Sequence, residues 1–382
     1  MLEYAIQGNR KYWTWLIFLA AVVVTGFLCY LRQYQIGLTI TGMSRDVTWG
    51  FYIAQFTFLV GIAASAVMVV LPYYLHNWKE FGRITALGEF VAISAVLMCM
   101  LFILVDLGQP ARILNVFLYP SPRSMMFWDT VALSGYLLLN VIISRVTLRS
   151  ERSEMAPPGW IRPVIILSIP WAISIHTVTA FLYAGLAARP FWMTAVLAPR
   201  FLASAFASGP ALLILLVLVL KKCTGFDAGR ESLHKLALIV TYALCVHIFL
   251  LLMELFTVFY SGIPEHASHF QYLLFGAGGR SLMLWEWASI ILAVTSLVFL
   301  LIPGMRRNEK TLVFSCVALF ASIWIEKGLA MIVTGFVPSP LGRFTEYRPT
   351  APELLISAAV YGIGAFFITV FFKIFAKAKA SA

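Results

Sequence analysis

Apolar residues along the chain fall into ten long, uniform runs, near 12–31, 49–75, 86–106, 125–147, 161–187, 200–220, 234–260, 281–303, 310–334 and 352–376. Short stretches carrying Gly, Pro and charged residues separate them. At about 1.5 Å per helical residue, each run can cross a hydrocarbon core about 30 Å thick. Strands of a membrane barrel would be about ten residues long and would alternate apolar with polar side chains, and these runs do neither. Backbone polar groups inside lipid must be satisfied within the segment, so the pattern predicts an all-α integral membrane protein with about ten transmembrane helices. The longest polar stretch, Arg149 to Arg162, holds Pro157, Pro158 and Gly159 and reads as a loop. A single polytopic membrane domain over 1–382 is expected. Runs two to five and six to nine suggest two four-helix bundles, with the first and last helices peripheral.

Lys and Arg fix an orientation. The ends and loops on one side carry eighteen of the 28, whereas the other side carries nine, and Lys327 lies inside a span. The positive-inside rule places the richer side, and with it both termini, in the cytoplasm of a multi-pass protein of the cytoplasmic (inner) membrane. The first run follows Arg10 and Lys11 and is longer than a secretory h-region, so it reads as a retained helix. Composition agrees with a lipid solvent: 61% of residues are hydrophobic and 12% charged, about half the charged share of a soluble domain. The net charge of +11 belongs to loops. No basic helix with interleaved aromatics points to nucleic acid. The five cysteines, Cys29, Cys99, Cys223, Cys245 and Cys316, form no CxxC pair. They give neither a disulfide framework nor the thiolate set of an iron–sulfur cluster.

Ionisable residues inside spans are costly and need a partner or a task. Asp129 and Glu286 fall in the predicted first turns of helices four and eight, where an acid is stabilised by the helix dipole, so capping competes with function for both. Thr350-Ala-Pro-Glu353 fits a capping box. Asp106 ends helix three, where the dipole opposes an anion, just before the Gly108 and Pro110 stop signals. It needs a cation, and Arg112 is the nearest in sequence. Glu254 lies inside helix seven with His247 on the same face, and His176, Thr179 and Tyr183 share a face of helix five. Glu326 and Lys327 are adjacent, so they cannot face each other, and each is expected to reach another helix. Glu89 lies near the cytoplasmic end of helix three. Asp106, Arg112, Asp129, Tyr183, Glu254 and Glu286 all belong to the outer end, with His176 and His247 deeper.

Acids, a histidine and a tyrosine in an outer pocket suit a two-electron, two-proton carrier, because a quinone needs donors at both carbonyls and groups that exchange protons. On that reading His176, Tyr183, Asp106 and Glu254 would carry the quinone and proton chemistry. Arg112, Asp129, His247 and Glu286 would line the pocket or a proton path. Other readings compete. His176 and His247 lie at similar depth and could ligate one haem. Buried acids, with Pro170 and Gly209-Pro210 inside spans, also fit a secondary transporter. A passive membrane anchor is a third reading.

The same residues resemble the NrfD/PsrC family, the membrane subunits of polysulfide-reductase-type complexes. The resemblance rests on Trp49-Gly50 with Gly61, on Asp106-Leu-Gly-Gln-Pro110 followed by Arg112, and on His176 in SIHTVTAFLYAGLAARPFW. WIEKGLAMIVTGFVPSPLG and YRPTAPE are similar to the ten-helix branch that includes the hydrogenase-2 and alternative complex III membrane subunits. Members usually carry a basic residue where Gln109 stands, so an ionic role there is not carried over. The resemblance implies a haem-free subunit that exchanges electrons between a menaquinone-type quinone and an extracytoplasmic ferredoxin-like iron–sulfur subunit. It would be active only as part of a quinone oxidoreductase complex. Within the branch the chain is most similar to DsrP-type subunits of the sulfite-reduction-associated Dsr complex. That would add a multihaem cytochrome c, a membrane cytochrome b and a cytoplasmic iron–sulfur subunit as partners, a link to sulfur metabolism, and a question of proton translocation.

Overall fold

The computed structural model describes residues 7–76, 78–153, 157–280 and 282–380. Ten helices are long and apolar enough to cross a membrane: α1 (Arg10–Ile36), α2 (Phe51–Tyr74), α3 (Thr85–Asp106), α4 (Met125–Ser150), α5 (Ile161–Ala184), α6 (Leu197–Thr224), α7 (Arg230–Ser261), α8 (Met283–Leu301), α9 (Glu309–Phe336) and α10 (Ala351–Ala376). No strand occurs among the described residues. The predicted start of helix eight at 281, and the side chains of Lys79, Arg83, Arg152, Lys377 and Lys379, lie outside the described residues.

Local chemistry sets the ends. The Asn9 side chain accepts from Tyr12 N at 2.9 Å and opens α1, and Asn308 does the same for α9 through Lys310 N at 3.0 Å. Gly225 and Gly262 close α6 and α7 in the left-handed region, which costs glycine nothing.

Helices α2 to α5 form one four-helix unit and α6 to α9 another, while α10 packs on α1 and α3. The two units meet where α2 and α5 cross α6. A Cβ on Gly209 would lie 2.9 Å from Ser65 N, so glycine lets the α2 and α6 backbones approach closely. Helix α2 turns at residues 64–66 and resumes, with the Ser65 hydroxyl bonded to Gly88 O of α3 at 3.2 Å. That helix is almost wholly buried, whereas few residues of α1 are buried. Exposed Phe18, Leu28, Phe256, Leu284 and Ile291 are the lipid-facing side expected when the solvent is hydrocarbon. Lys373 sits over the Tyr12 ring, 3.2 Å from its centre, so the beginning of α1 and the last turns of α10 lie at the same end of the molecule. At the opposite end the connections are longer and ordered, with a helix at Pro264–Phe275 and short turns at Pro110–Arg112 and Pro190–Trp192.

Candidate functional site

Two polar clusters lie within the bundles. The first belongs to α2–α5, in the half away from the chain ends. His176, Thr179 and Tyr183 point inward from one face of α5, and all three are buried. The Thr179 hydroxyl donates to Asp129 Oδ1 of α4 at 2.6 Å. Helix α4 begins at Met125, so Asp129 lies past its first turn and faces α5. The sequence-based capping alternative for Asp129 therefore gives way to a cross-helix bond. The Tyr183 hydroxyl meets that of Thr57 on α2. Above it lie Trp49, Trp192 and Phe336, with Tyr183–Trp49 and Tyr183–Trp192 ring centres 5.7 and 5.3 Å apart. Trp192 anchors this layer by donating from Nε1 to Met331 O at 3.2 Å. His176 Nε2 and Asp106 Oδ1 have no hydrogen-bond partner among the described residues.

Asp106 closes α3 beside a bonded pair: Tyr52 donates to Gln33 Oε1 at 2.8 Å, and Gln33 Nε2 donates to Val105 O at 2.6 Å. The expected Arg112 partner is absent from it. Arg112 is exposed and forms no ion pair with Asp106 among the described residues, because the Pro110–Arg112 turn carries its guanidinium to the surface. Glu353 forms the predicted capping box, with Thr350 N to Glu353 Oε2 at 3.3 Å and Glu353 N to Thr350 Oγ1 at 3.4 Å. It also accepts from Gly42 N, Phe51 N and the Tyr347 hydroxyl, tying together three segments at the end away from the chain termini. Burial first, and then the Glu353 carboxylate, push the pKa of the Tyr347 hydroxyl upward.

The second cluster belongs to α6–α9. Arg200 of α6 donates from Nη1 to Glu254 of α7, and from Nη2 and Nε to Glu326 Oε1 of α9 at 2.6 and 3.1 Å. His247 of α7 places Nε2 2.8 Å from Glu326 Oε2. Glu286 of α8 is buried, feels the charges of Glu326 and Arg200, and keeps Oε2 without a hydrogen bond among the described residues. Depth alone groups Glu254 and His247 with His176 and Tyr183. The packing assigns them to Arg200 and Glu326 instead, and no hydrogen bond or ion pair among the described residues joins the two sets. Glu326 and Lys327 diverge as expected. They open a π-turn, Glu326–Ala330, and Lys327 Nζ donates to Phe201 O at 3.4 Å while lying 4.0 Å from the Phe201 ring centre. Gln55 of α2 stabilises the turn by donating to Gly328 O at 2.6 Å, while Trp324 and Tyr361 each donate to Gln55 Oε1 at 2.7 Å.

Sequence reasoning missed Arg200, counting it with the outer cations because it stands in the first turn of α6. Its signal was its depth: the start of α6 lies near the level of Glu254, about 10 Å below the end of α7 at about 1.5 Å per residue. It also missed Gln55, Thr57 and Gln33, since neutral polar residues in an apolar run carry little contrast.

The chain belongs to the NrfD polysulphide reductase family, whose model matches residues 39–327, well over half of its length. It is similar to three relatives over most of their lengths. A protein of Halobacterium salinarum, described as a membrane component of a dimethyl sulfoxide reductase, is 27% identical over 93% of this chain and 89% of its own. The Hdr-like menaquinol oxidoreductase integral membrane subunit of Archaeoglobus fulgidus is 24% identical over 87% and 82%. The menaquinone reductase integral membrane subunit of Nitratidesulfovibrio vulgaris is 20% identical over 95% and 91%.

Proposed function

We propose that this NrfD-family chain is the quinone-reactive membrane subunit of a respiratory complex. It exchanges electrons between a menaquinone-type quinone and an iron–sulfur subunit docked at the end away from the chain termini. The observation that carries this reading is the α2–α5 cluster: a buried imidazole with a free Nε2, a bonded Thr179–Asp129 pair and a Tyr183–Thr57 pair under an aromatic layer. Such a site offers a quinone head both donors and acceptors, and flat rings to stack on. Asp106 and Asp129 supply proton-exchanging carboxyls beside it. The menaquinone-linked names of two relatives favour the same substrate class.

In this reading His176 takes up or returns the proton of one quinone oxygen, Tyr183 faces the aromatic wall, and Asp106 connects the pocket to the outer surface. The excess of basic residues favours an inner-membrane topology with both termini on the cytoplasmic side. The iron–sulfur partner is then extracytoplasmic and ferredoxin-like. A multihaem cytochrome c, a membrane cytochrome b and a cytoplasmic iron–sulfur subunit complete a Dsr-like complex serving sulfur or sulfite metabolism. Two alternatives lose ground on particular residues. Nε2 of His247, a nitrogen that haem iron could take, is engaged by Glu326. Pro170 and Pro210 lie within continuous helices rather than at broken midplane ends, which weakens the transporter reading.

His176→Gln in the assembled complex tests the assignment. Quinone-linked electron transfer should fall about 10²-fold or more, the scale of one proton-transfer group, with assembly intact. Transfer at the wild-type rate refutes it.

A further inference from the structure

Helices α9 and α10 both lie against α2 but barely touch each other. Glycine explains why α10 stands away from α9. A Cβ on Gly26 of α1 would strike Leu355 O of α10, and one on Gly364 of α10 would strike Met98 Sδ of α3. These glycines let α10 seat closely on α1 and α3. Space remains on its other side, a cavity of about 280 Å³ lined by Phe58 of α2, Phe320, Ala321 and Trp324 of α9, and Tyr361 of α10.

The wall of this cavity is hydrocarbon. Phe58 and Phe320 meet edge to face, with 5.1 Å between ring centres. Its two polar side-chain atoms are already committed, since Trp324 Nε1 and the Tyr361 hydroxyl each donate to Gln55 Oε1 at 2.7 Å. Water would find no partners there, and apolar cavities of this kind stay dry. Left void, the space would cost stability in proportion to its volume. Its mouth leads to lipid. Val317, Phe320, Ala321 and Trp324 follow the i, i+3, i+4, i+7 spacing of one stripe of α9, and Val317 is exposed. Exposed Leu354 stands two turns from Tyr361 on the same face of α10. Counted along α10 to Tyr361 and along α9 to Phe320, the cavity lies about 15–24 Å from the end away from the chain termini. In a core about 30 Å thick that is the middle, a depth reached by chains and not by headgroups.

We propose that this cavity holds an acyl chain of a membrane phospholipid, which packs α10 against α9 and steadies the Gln55 bridge. Gln55 in turn donates to Gly328 O at 2.6 Å, so the chain supports the π-turn from which Glu326 reaches Arg200 and His247. The prenyl tail of a quinone is the poorer match. Thr57, which meets Tyr183, and Phe58 are neighbours in α2 and face different sides, so α2 stands between the Tyr183 cluster and the cavity. With both donors held by Gln55, the wall also offers nothing to a quinone carbonyl. The inference stands independently of the quinone reading.

The test uses the full-length protein in detergent, loaded with phosphatidylcholine brominated midway along its acyl chains and then washed with lipid-free detergent. Bromine quenches an indole that it touches, and Trp324 is the indole in the cavity wall. Ala321→Phe puts a ring into the cavity. Wild type should keep one more brominated lipid per chain than Ala321→Phe, and that lipid should quench a share of the emission that Trp324→Phe lacks. Equal retention in wild type and a folded Ala321→Phe overturns the proposal. So does quenching that is the same in wild type and Trp324→Phe, a comparison that stands whether or not Ala321→Phe folds. Quinone extracted from the same samples gives the third arm. Loss of quinone from Ala321→Phe, with its phospholipid unchanged, assigns the cavity to a prenyl tail and overturns the phospholipid.

Discussion

Arg200→Leu should be the most damaging single change in α6–α9, and its size follows from the geometry. The guanidinium directs three N–H groups at two carboxylates. Without it Glu326 keeps His247, and Glu254 keeps no ion-pair partner among the described residues. Breaking a buried pair by removing one member costs about 3–5 kcal/mol, because the charge left behind stays desolvated. That is about a 10²- to 10⁴-fold fall in the folded-to-unfolded ratio at about 1.4 kcal/mol per decade. Arg200→Lys should fall between, since one ammonium cannot span both acids as the planar fork does. The triple variant Arg200→Leu, Glu254→Gln, Glu326→Gln removes the orphaned charges and should regain most of the loss. Denaturant unfolding of the detergent-solubilised complex, followed by tryptophan fluorescence, gives these differences. An Arg200→Leu loss under about 1 kcal/mol, or a triple variant no more stable than the single one, would refute the claim that this cluster is a buried ion-pair network.

Gly335→Ala should destabilise by about 1–3 kcal/mol, the range for overpacking, because its new Cβ would lie 2.1 Å from the Trp192 ring; a shift in tryptophan emission and melting temperature reads it. Thr179→Val keeps the shape but leaves Asp129 Oδ1 without its donor, so quinone-linked turnover should drop about tenfold, near the weight of one hydrogen bond to a charged group, and Asp129→Asn added to it should lower turnover little further. His269 lies outside the spans, with Nδ1 donating to Thr334 O and Val337 O at 2.8 and 3.0 Å, and burial lowers its pKa despite those bonds. A lowered folded pKa means that the unfolded chain takes up the proton first, so its contribution is full above the ordinary histidine value and is lost as pH falls below about 6.5. The fall of melting temperature with falling pH across that window should be steeper in wild type than in His269→Phe, and identical pH dependences would remove His269 from the account.

The spans were legible because lipid imposes one requirement on every helix, a run of about twenty apolar residues, and chain order does not alter it. Their number, ten, was readable for the same reason. The turn in α2 and the π-turn in α9 were not legible, because partners on distant helices satisfy the backbone there: Ser65 with Gly88, and Gln55 with Gly328. Sequence distance misled at Arg112, the cation nearest Asp106 along the chain but turned to the surface by Pro110. Helical spacing served better, since it put His176, Thr179 and Tyr183 on one face with no knowledge of the fold. What spacing on a single helix lacks is the identity of the facing helix, and that decides which acids are free to act. Glu254 and Glu326 already hold a guanidinium, and a group locked in such a pair would have to break it before binding anything else. Asp106 keeps one carboxylate oxygen without a partner among the described residues, and Asp129 accepts from a neutral hydroxyl, so neither holds a cation there. Both belong to the bundle that holds His176, whose Nε2 has no hydrogen-bond partner among the described residues.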